Sequence, residues 1–221
     1  RSSDLFMIIL IGGEKGGSGK SCLAQNIAVY LQNRNRDILL LDADPQGTTT
    51  DWVKEREQNQ ISKTLPSVQC SGNIRQTLID LSKRYQDIVI DAGGQDSEAL
   101  RSAMTVATHM LLPFRPKRRD LKTLAHMENL VKMAKAINPN LKAKAVMTQC
   151  PTLPSQFQRI TDAKDACDSF NIPALQNFTS NRNIYDDADE NGFTVFEAKG
   201  DTDGKASAEI VAIAEEFLGE V

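Results

Sequence analysis

Between the apolar run Met7–Ile11 and a stretch where Leu23, Ile27 and Leu31 recur every fourth residue lies Gly12-Gly13-Glu14-Lys15-Gly16-Gly17-Ser18-Gly19-Lys20-Ser21. Glycines let a backbone turn tightly enough for successive amides to face one point, and the helix N-terminus that follows adds the positive end of its dipole. A strand that passes through such a turn into a helix is the setting of a phosphate-binding loop. The expected cradle is Gly16, Gly17, Ser18, Gly19, Lys20, Ser21 and Cys22. Lys20 would reach the β- and γ-phosphates of a nucleotide, and the Ser21 hydroxyl would ligate Mg²⁺.

The same alternation of strand and helix continues along the chain. Ile38–Leu41 is a second apolar run, Ile74, Leu78 and Leu81 mark a helix, and Ile88–Ile90 reads as a strand ending at Asp91. His109–Pro113 and Ala143–Met147 predict further strands, with one long helix between them carrying Leu121, Leu124, Leu130, Val131, Ala134 and Ile137. A last helix turns Ile210, Ile213, Ala214, Phe217 and Leu218 inward and Glu209, Glu215, Glu216 and Glu220 outward. This order predicts an α/β fold, one domain over residues 7–221, with a mostly parallel twisted sheet and helices on both faces. Residues 1–6 read as a tag or a disordered leader. The polar stretches Asp51–Ser67 and Asn177–Asp203 read as mobile. The methionines, with Phe6, Phe114, Phe157, Phe170 and Phe217, read as core or helix–sheet packing.

A chain of 221 residues can bury a core without metal or disulfide staples. No apolar run approaches the ~18 residues of a membrane helix, and the first one lacks a signal peptide's basic flank. Cys22, Cys70, Cys150 and Cys167 stand far apart with no CxxC pair, which fits free thiols in a reducing cytoplasm better than a disulfide framework or a zinc site. The net charge of −3 argues against a globally basic nucleic-acid binder and leaves room for a local basic patch.

Asp42, Asp44 and Asp91 follow apolar strands. Taken singly, each reads equally as a cap or turn residue. In an open parallel sheet, however, ligands bind beyond the carboxyl ends of the strands, so all three would converge on the phosphate loop. Carboxylates beside a triphosphate imply an intervening divalent cation.

Lys15-Gly16-Gly17-Ser18-Gly19-Lys20-Ser21 fits the deviant Walker A pattern KGGxGK[ST] at every position, with Glu14 where the commoner loop has its first glycine. In this the chain resembles the ParA/MinD branch of P-loop ATPases, and the short plasmid-partition members most. The resemblance implies a Mg²⁺-dependent ATPase with Lys15, Lys20 and Asp44 as catalytic residues. Lys15 would cross a homodimer formed on ATP binding and touch the partner's phosphates. Leu41-Asp42-Ala43-Asp44-Pro45-Gln46-Gly47 resembles switch I, D-x-D-P-Q-G, so Asp44 would orient the attacking water and Asp42 would hold the metal through water. Ile88–Asp91 resembles Walker B, giving metal partners Ser21, Asp42 and Asp91. Ala92-Gly93-Gly94 would act as switch II, and Gln95 and Asp96 have no counterpart.

The branch also includes division-site ATPases, nitrogenase iron protein, arsenite-pump subunits and small synthetases. The acidic outer face of the last helix argues against a membrane, and the cysteine positions argue against an iron–sulfur cluster. The resemblance to partition proteins then implies ATP dimers that bind nucleoid DNA non-specifically and a ParB-like centromere-binding partner that stimulates hydrolysis. Lys117, Arg118, Arg119, Lys122 and Arg182 are the DNA-binding candidates, with Lys142 and Lys144 extending the patch; a solvated helix start accounts for these charges equally well. Two alternatives stay open: a nucleotide-gated positioning or regulatory scaffold with little turnover, and a small ATP-dependent synthetase. Trp52 reads either as a nucleotide-state or partner contact or as a packing residue. His109 and His126 have no triad-like company.

Overall fold

The apolar runs form the strands β1 (Met7–Ile11), β2 (Ile38–Ala43), β3 (Ser67–Gln69), β4 (Asp87–Ala92), β5 (His109–Phe114), β6 (Lys142–Cys150) and β7 (Ala174–Ser180). Between and after them lie α1 (Lys20–Asn33), α2 (Thr48–Gln58), α3 (Arg75–Leu81), α4 (Glu98–Met104), α5 (Arg118–Leu121), α6 (Leu124–Ile137), α7 (Gln158–Ser169), α8 (Asn183–Asp189) and α9 (Lys205–Leu218). The computed structural model describes residues 6–61 and 63–219. The leader reading for residues 1–5 and the outward placement of Glu220 lie outside the described residues.

Every pairing is parallel, in the order β3-β2-β4-β1-β5-β6-β7. Side chains alternate between two cores. Ile8 and Leu10 pack with α3, α4, α6 and α7, while Met7, Ile9 and Ile11 pack with α1, α2 and α9. Because both faces are covered, the strands read as continuous apolar runs rather than as alternating ones. The alternation also places the site. Val89 belongs to the α1/α2 face and Ile88 and Ile90 to the other, so Asp91 shares the α1/α2 face. Asp42, its register partner on β2, does the same, because Leu40 lies on that face and Leu41 on the opposite one.

Several expectations needed correction. The stretch from Asp51 is helical through Gln58, and Asn177–Asp203 contains the end of β7 and all of α8. The long helix is two, α5 and α6. Arg115 draws Asp120 toward β5 through its backbone N–H (3.2 Å) and guanidinium (2.8 and 2.9 Å), and the Thr123 hydroxyl closes the short turn on the Asp120 carbonyl. Ile137, Met133, Phe6 and Phe157 are exposed rather than core, whereas Phe114 and Phe217 are buried and Phe170 packs at the core's edge. Among the described residues no helix is long and apolar enough to cross a membrane.

Candidate functional site

β1 runs through residues 12–19 into Lys20, the first residue of α1. Gly17 (φ 72°) and Gly19 (φ 85°) are left-handed, a conformation glycine adopts without steric cost. Gly19 caps α1 with no side-chain acceptor, which leaves the first-turn amides open to an anion. The end of β6 braces the loop from behind. The Thr148 hydroxyl donates to the Ser18 carbonyl (2.8 Å), and the Gln149 amide donates to the Gly17 carbonyl (2.9 Å). Neither residue was singled out from sequence; the only available signal was position at the carboxyl end of a predicted strand.

Lys20 is buried, and its ammonium donates to the Lys15 carbonyl (2.7 Å). Burial lowers its proton affinity, while the Asp91 and Asp44 charges act in the opposite direction. Asp91 is fully buried beneath it. Its Oδ2 accepts the Thr49 hydroxyl (2.7 Å), and the Ser21 hydroxyl lies near enough to favour the charged carboxylate. Burial raises Asp91 to about 6, with the neighbouring Asp42 adding to the rise. Its Oδ1 is buried with no partner among the described residues. A buried, unpartnered carboxylate oxygen beside a serine hydroxyl at a phosphate loop suits the water shell of a magnesium ion, so the donor set fits that metal.

Asp42 uses both oxygens to hold the loop after β2. Oδ1 accepts the Asp44 N–H (3.0 Å), and Oδ2 accepts the Thr50 N–H and hydroxyl (2.7 Å each). Asp44 is thereby set at the rim, its Oδ1 accepting the Gln46 N–H (2.9 Å). The turn after β4 closes on it from the other side. A Cβ on Gly93 would stand 3.2 Å from the Asp44 carboxyl carbon, and one on Gly94 would stand 3.1 Å from the Gly16 amide nitrogen. The close approach of the turn after β4 to the phosphate loop therefore depends on two residues without side chains.

Lys20, Ser21, Asp44, Gly93 and Gly94 line one end of a cleft of ≈ 730 Å³, large enough for a nucleotide. Its far end is lined by Arg182, Tyr185 and Asp186. Glu209 organises that end: it accepts from Arg182 Nε (3.0 Å), from the Tyr185 hydroxyl (2.8 Å) and from the Ser180 N–H (3.0 Å). Glu209 thus has a structural task and is not simply an outward charge. Burial, with Asp189 and Asp186 adding to it, pushes the Cys22 thiol in the cleft wall up to about 12, so the thiol stays protonated.

Residues 9–171 match the CobQ/CobB/MinD/ParA nucleotide binding domain family. The chain belongs to that family. "Maintenance of carboxysome distribution protein A" of Halothiobacillus neapolitanus is 24% identical over 219 residues, covering 98% of this chain and 99% of that protein. "Protein ParA" of Rhizobium radiobacter is 26% identical over 113 residues, 51% of this chain and 50% of that protein. In fold, the chain is similar to a McdA–ATP complex from Cyanothece, with a TM-score of 0.75, 13% identity, and 99% and 98% of the two chains covered.

Within this family's sheet, the remaining candidates occupy different rims. Lys117, Arg118, Arg119 and Lys122 are exposed on the turn after β5, beside the phosphate loop, and no ion pair among the described residues engages them. Arg182 instead lies in the cleft, paired with Glu209 at 2.9 Å. Lys142 pairs in register with His109 at the start of β5, about 16 Å back along the strand at ~3.3 Å per residue, so it cannot extend the patch. Lys15 is half-buried on the loop, and no ion pair among the described residues holds its ammonium. Trp52 is buried, its N–H donating to the Phe193 carbonyl (3.2 Å), as the packing reading expects. Asp96 has partners the sequence did not reveal: Arg101 (2.6 Å) and His126 (3.3 Å).

Proposed function

We propose that this protein is a Mg²⁺-dependent ATPase that dimerises on binding ATP, holds DNA without regard to sequence in that state, and is reset when a partner stimulates hydrolysis. The observation that carries this reading is the convergence of Lys20, Ser21 and Asp44 at one mouth of the cleft, with Asp91 buried near Lys20 and with Lys15 on the same loop in no ion pair among the described residues. Ser21 and Asp91 would hold magnesium, with Asp42 behind them; the bound ion would neutralise charge on the β- and γ-phosphates. Lys20 adds a desolvated positive charge at the same oxygens, which is worth more there than in water. Asp44, held by Asp42 and walled by Gly93, would orient the attacking water and take its proton. Lys15 would reach the second nucleotide of a face-to-face homodimer. Release of inorganic phosphate would free Asp44 and the Gly93–Gly94 turn together, because they pack on one another.

Lys117, Arg118, Arg119 and Lys122 would meet DNA phosphates, and doubling the patch by dimerisation would give a chain of net charge −3 a reversible, salt-sensitive grip. A ParB-like centromere-binding partner and a plasmid cargo form one version of this cycle. The likeness to carboxysome distribution proteins over 98% of the chain, against likeness to ParA proteins over 51% and 63% of it, favours a second version in which the cargo is a protein compartment. The test is retention of unrelated DNA with ATP, ADP and no nucleotide at two salt concentrations. We expect retention with ATP only, weaker in high salt and absent in Lys20→Ala; equal retention in all three nucleotide states would overturn the reading.

A further inference from the structure

We infer that Thr49 and Gln25 are positioning residues that orient Asp91 for magnesium and tie the start of α2 to α1. This rests on the reading of Asp91 as a metal partner. Thr49 is fully buried in the first turn of α2, directly after the loop that carries Asp44. Its hydroxyl donates to Asp91 Oδ2 at 2.7 Å and accepts from the Gln25 side-chain amide at 3.3 Å. A hydroxyl has one proton. With Gln25 donating to it, that proton is committed to Asp91, and the Asp91 carboxylate is held with Oδ2 occupied and Oδ1 unpartnered. The free oxygen is therefore selected by a hydrogen-bond chain and not by packing alone.

Gln25 is itself buried in α1. Two helices, α1 and α2, thus meet one strand-end carboxylate through two neutral side chains. Buried polar groups cost stability unless all their partners are in place. A shift of α2 with the Asp44 loop would break the chain at Thr49 and loosen Asp91, so the order of the loop and the aim of the metal-binding carboxylate are coupled.

The experiment follows binding of a fluorescent non-hydrolysable ATP analogue while Mg²⁺ is titrated. Thr49→Val keeps the side chain's shape and removes the hydroxyl. It is expected to raise half-saturating Mg²⁺ by roughly tenfold, the usual size of a lost outer-shell contact, while affinity measured in chelator stays unchanged. Thr49→Ser should restore the wild-type midpoint, and Gln25→Leu should shift it in the same direction by less. A wild-type midpoint in Thr49→Val overturns the inference; if that variant does not fold, a wild-type midpoint in Gln25→Leu does so. Asp91→Asn separates the two levels: if it also keeps the wild-type midpoint, the metal reading of Asp91 fails first.

Discussion

His109 opens β5 at the rim opposite the phosphate loop. Its ring meets Phe217 edge-on at 5.4 Å, Nδ1 lies 2.8 Å from the Thr108 hydroxyl, and Nε2 is buried without a partner among the described residues. Burial, with the Lys142 charge in register beside it, lowers its pKa from 6.5 to about 4. The fold therefore favours the neutral ring. The unfolded chain takes up a proton near 6.5 and the folded one only near 4, so this contribution is intact above 6.5 and is lost as pH falls between those values. The loss is at most about 3 kcal/mol. Urea unfolding of wild type and His109→Gln at pH 7.5 and pH 5 should show a smaller pH difference in the variant; equal differences would show that His109 does not carry it.

At the scale of elements, α2 is held by polar groups more than by apolar ones. Its buried residues are Thr49, Trp52, Val53 and Arg56. The Arg56 guanidinium donates to both oxygens of Glu197 (2.7 and 2.8 Å) and to the Gly192 carbonyl (2.8 Å), and it stacks 4.8 Å from the Trp52 ring. Gly192 has φ 69°, and a Cβ there would stand 2.5 Å from the Arg56 nitrogen. Arg56→Ala should cost about 2 kcal/mol in urea unfolding, because the half-buried Glu197 loses its guanidinium partner and keeps only the Thr194 N–H and hydroxyl. Gly192→Ala should cost more than about 2 kcal/mol through strain. A loss below about 1 kcal/mol in both would refute the clamp. The same composition explains why Asp51–Ser67 reads from sequence as a polar, mobile stretch: a helix whose inward face is threonine, tryptophan, valine and arginine shows little apolar period. The last helix, α9, with Ile210, Ile213, Ala214 and Phe217 inward, was legible because it has one. The phosphate loop was legible because its parts are adjacent. Thr49–Asp91, 42 residues apart, and Thr148–Ser18, 130 apart, were not, because only the parallel register brings them together.

For the whole molecule, the parallel sheet divides labour between its rims. The carboxyl rim gathers the phosphate loop, Asp42, Asp44, Asp91 and the exposed cations of residues 117–122. The opposite rim carries Lys142 and the Arg36–Asp87 pair, whose carboxylate is buried. Everything that would respond to a triphosphate therefore faces one direction, and a second copy meeting that face would bring two Lys15 side chains to two nucleotides. The most direct measurement is the solution mass by light scattering, with the chain saturated by a non-hydrolysable ATP analogue and Mg²⁺. The account predicts the mass of two chains with the analogue, of one chain with ADP or in Lys20→Ala, and a weakened dimer in Lys15→Ala. The mass of a single chain at saturation would contradict it.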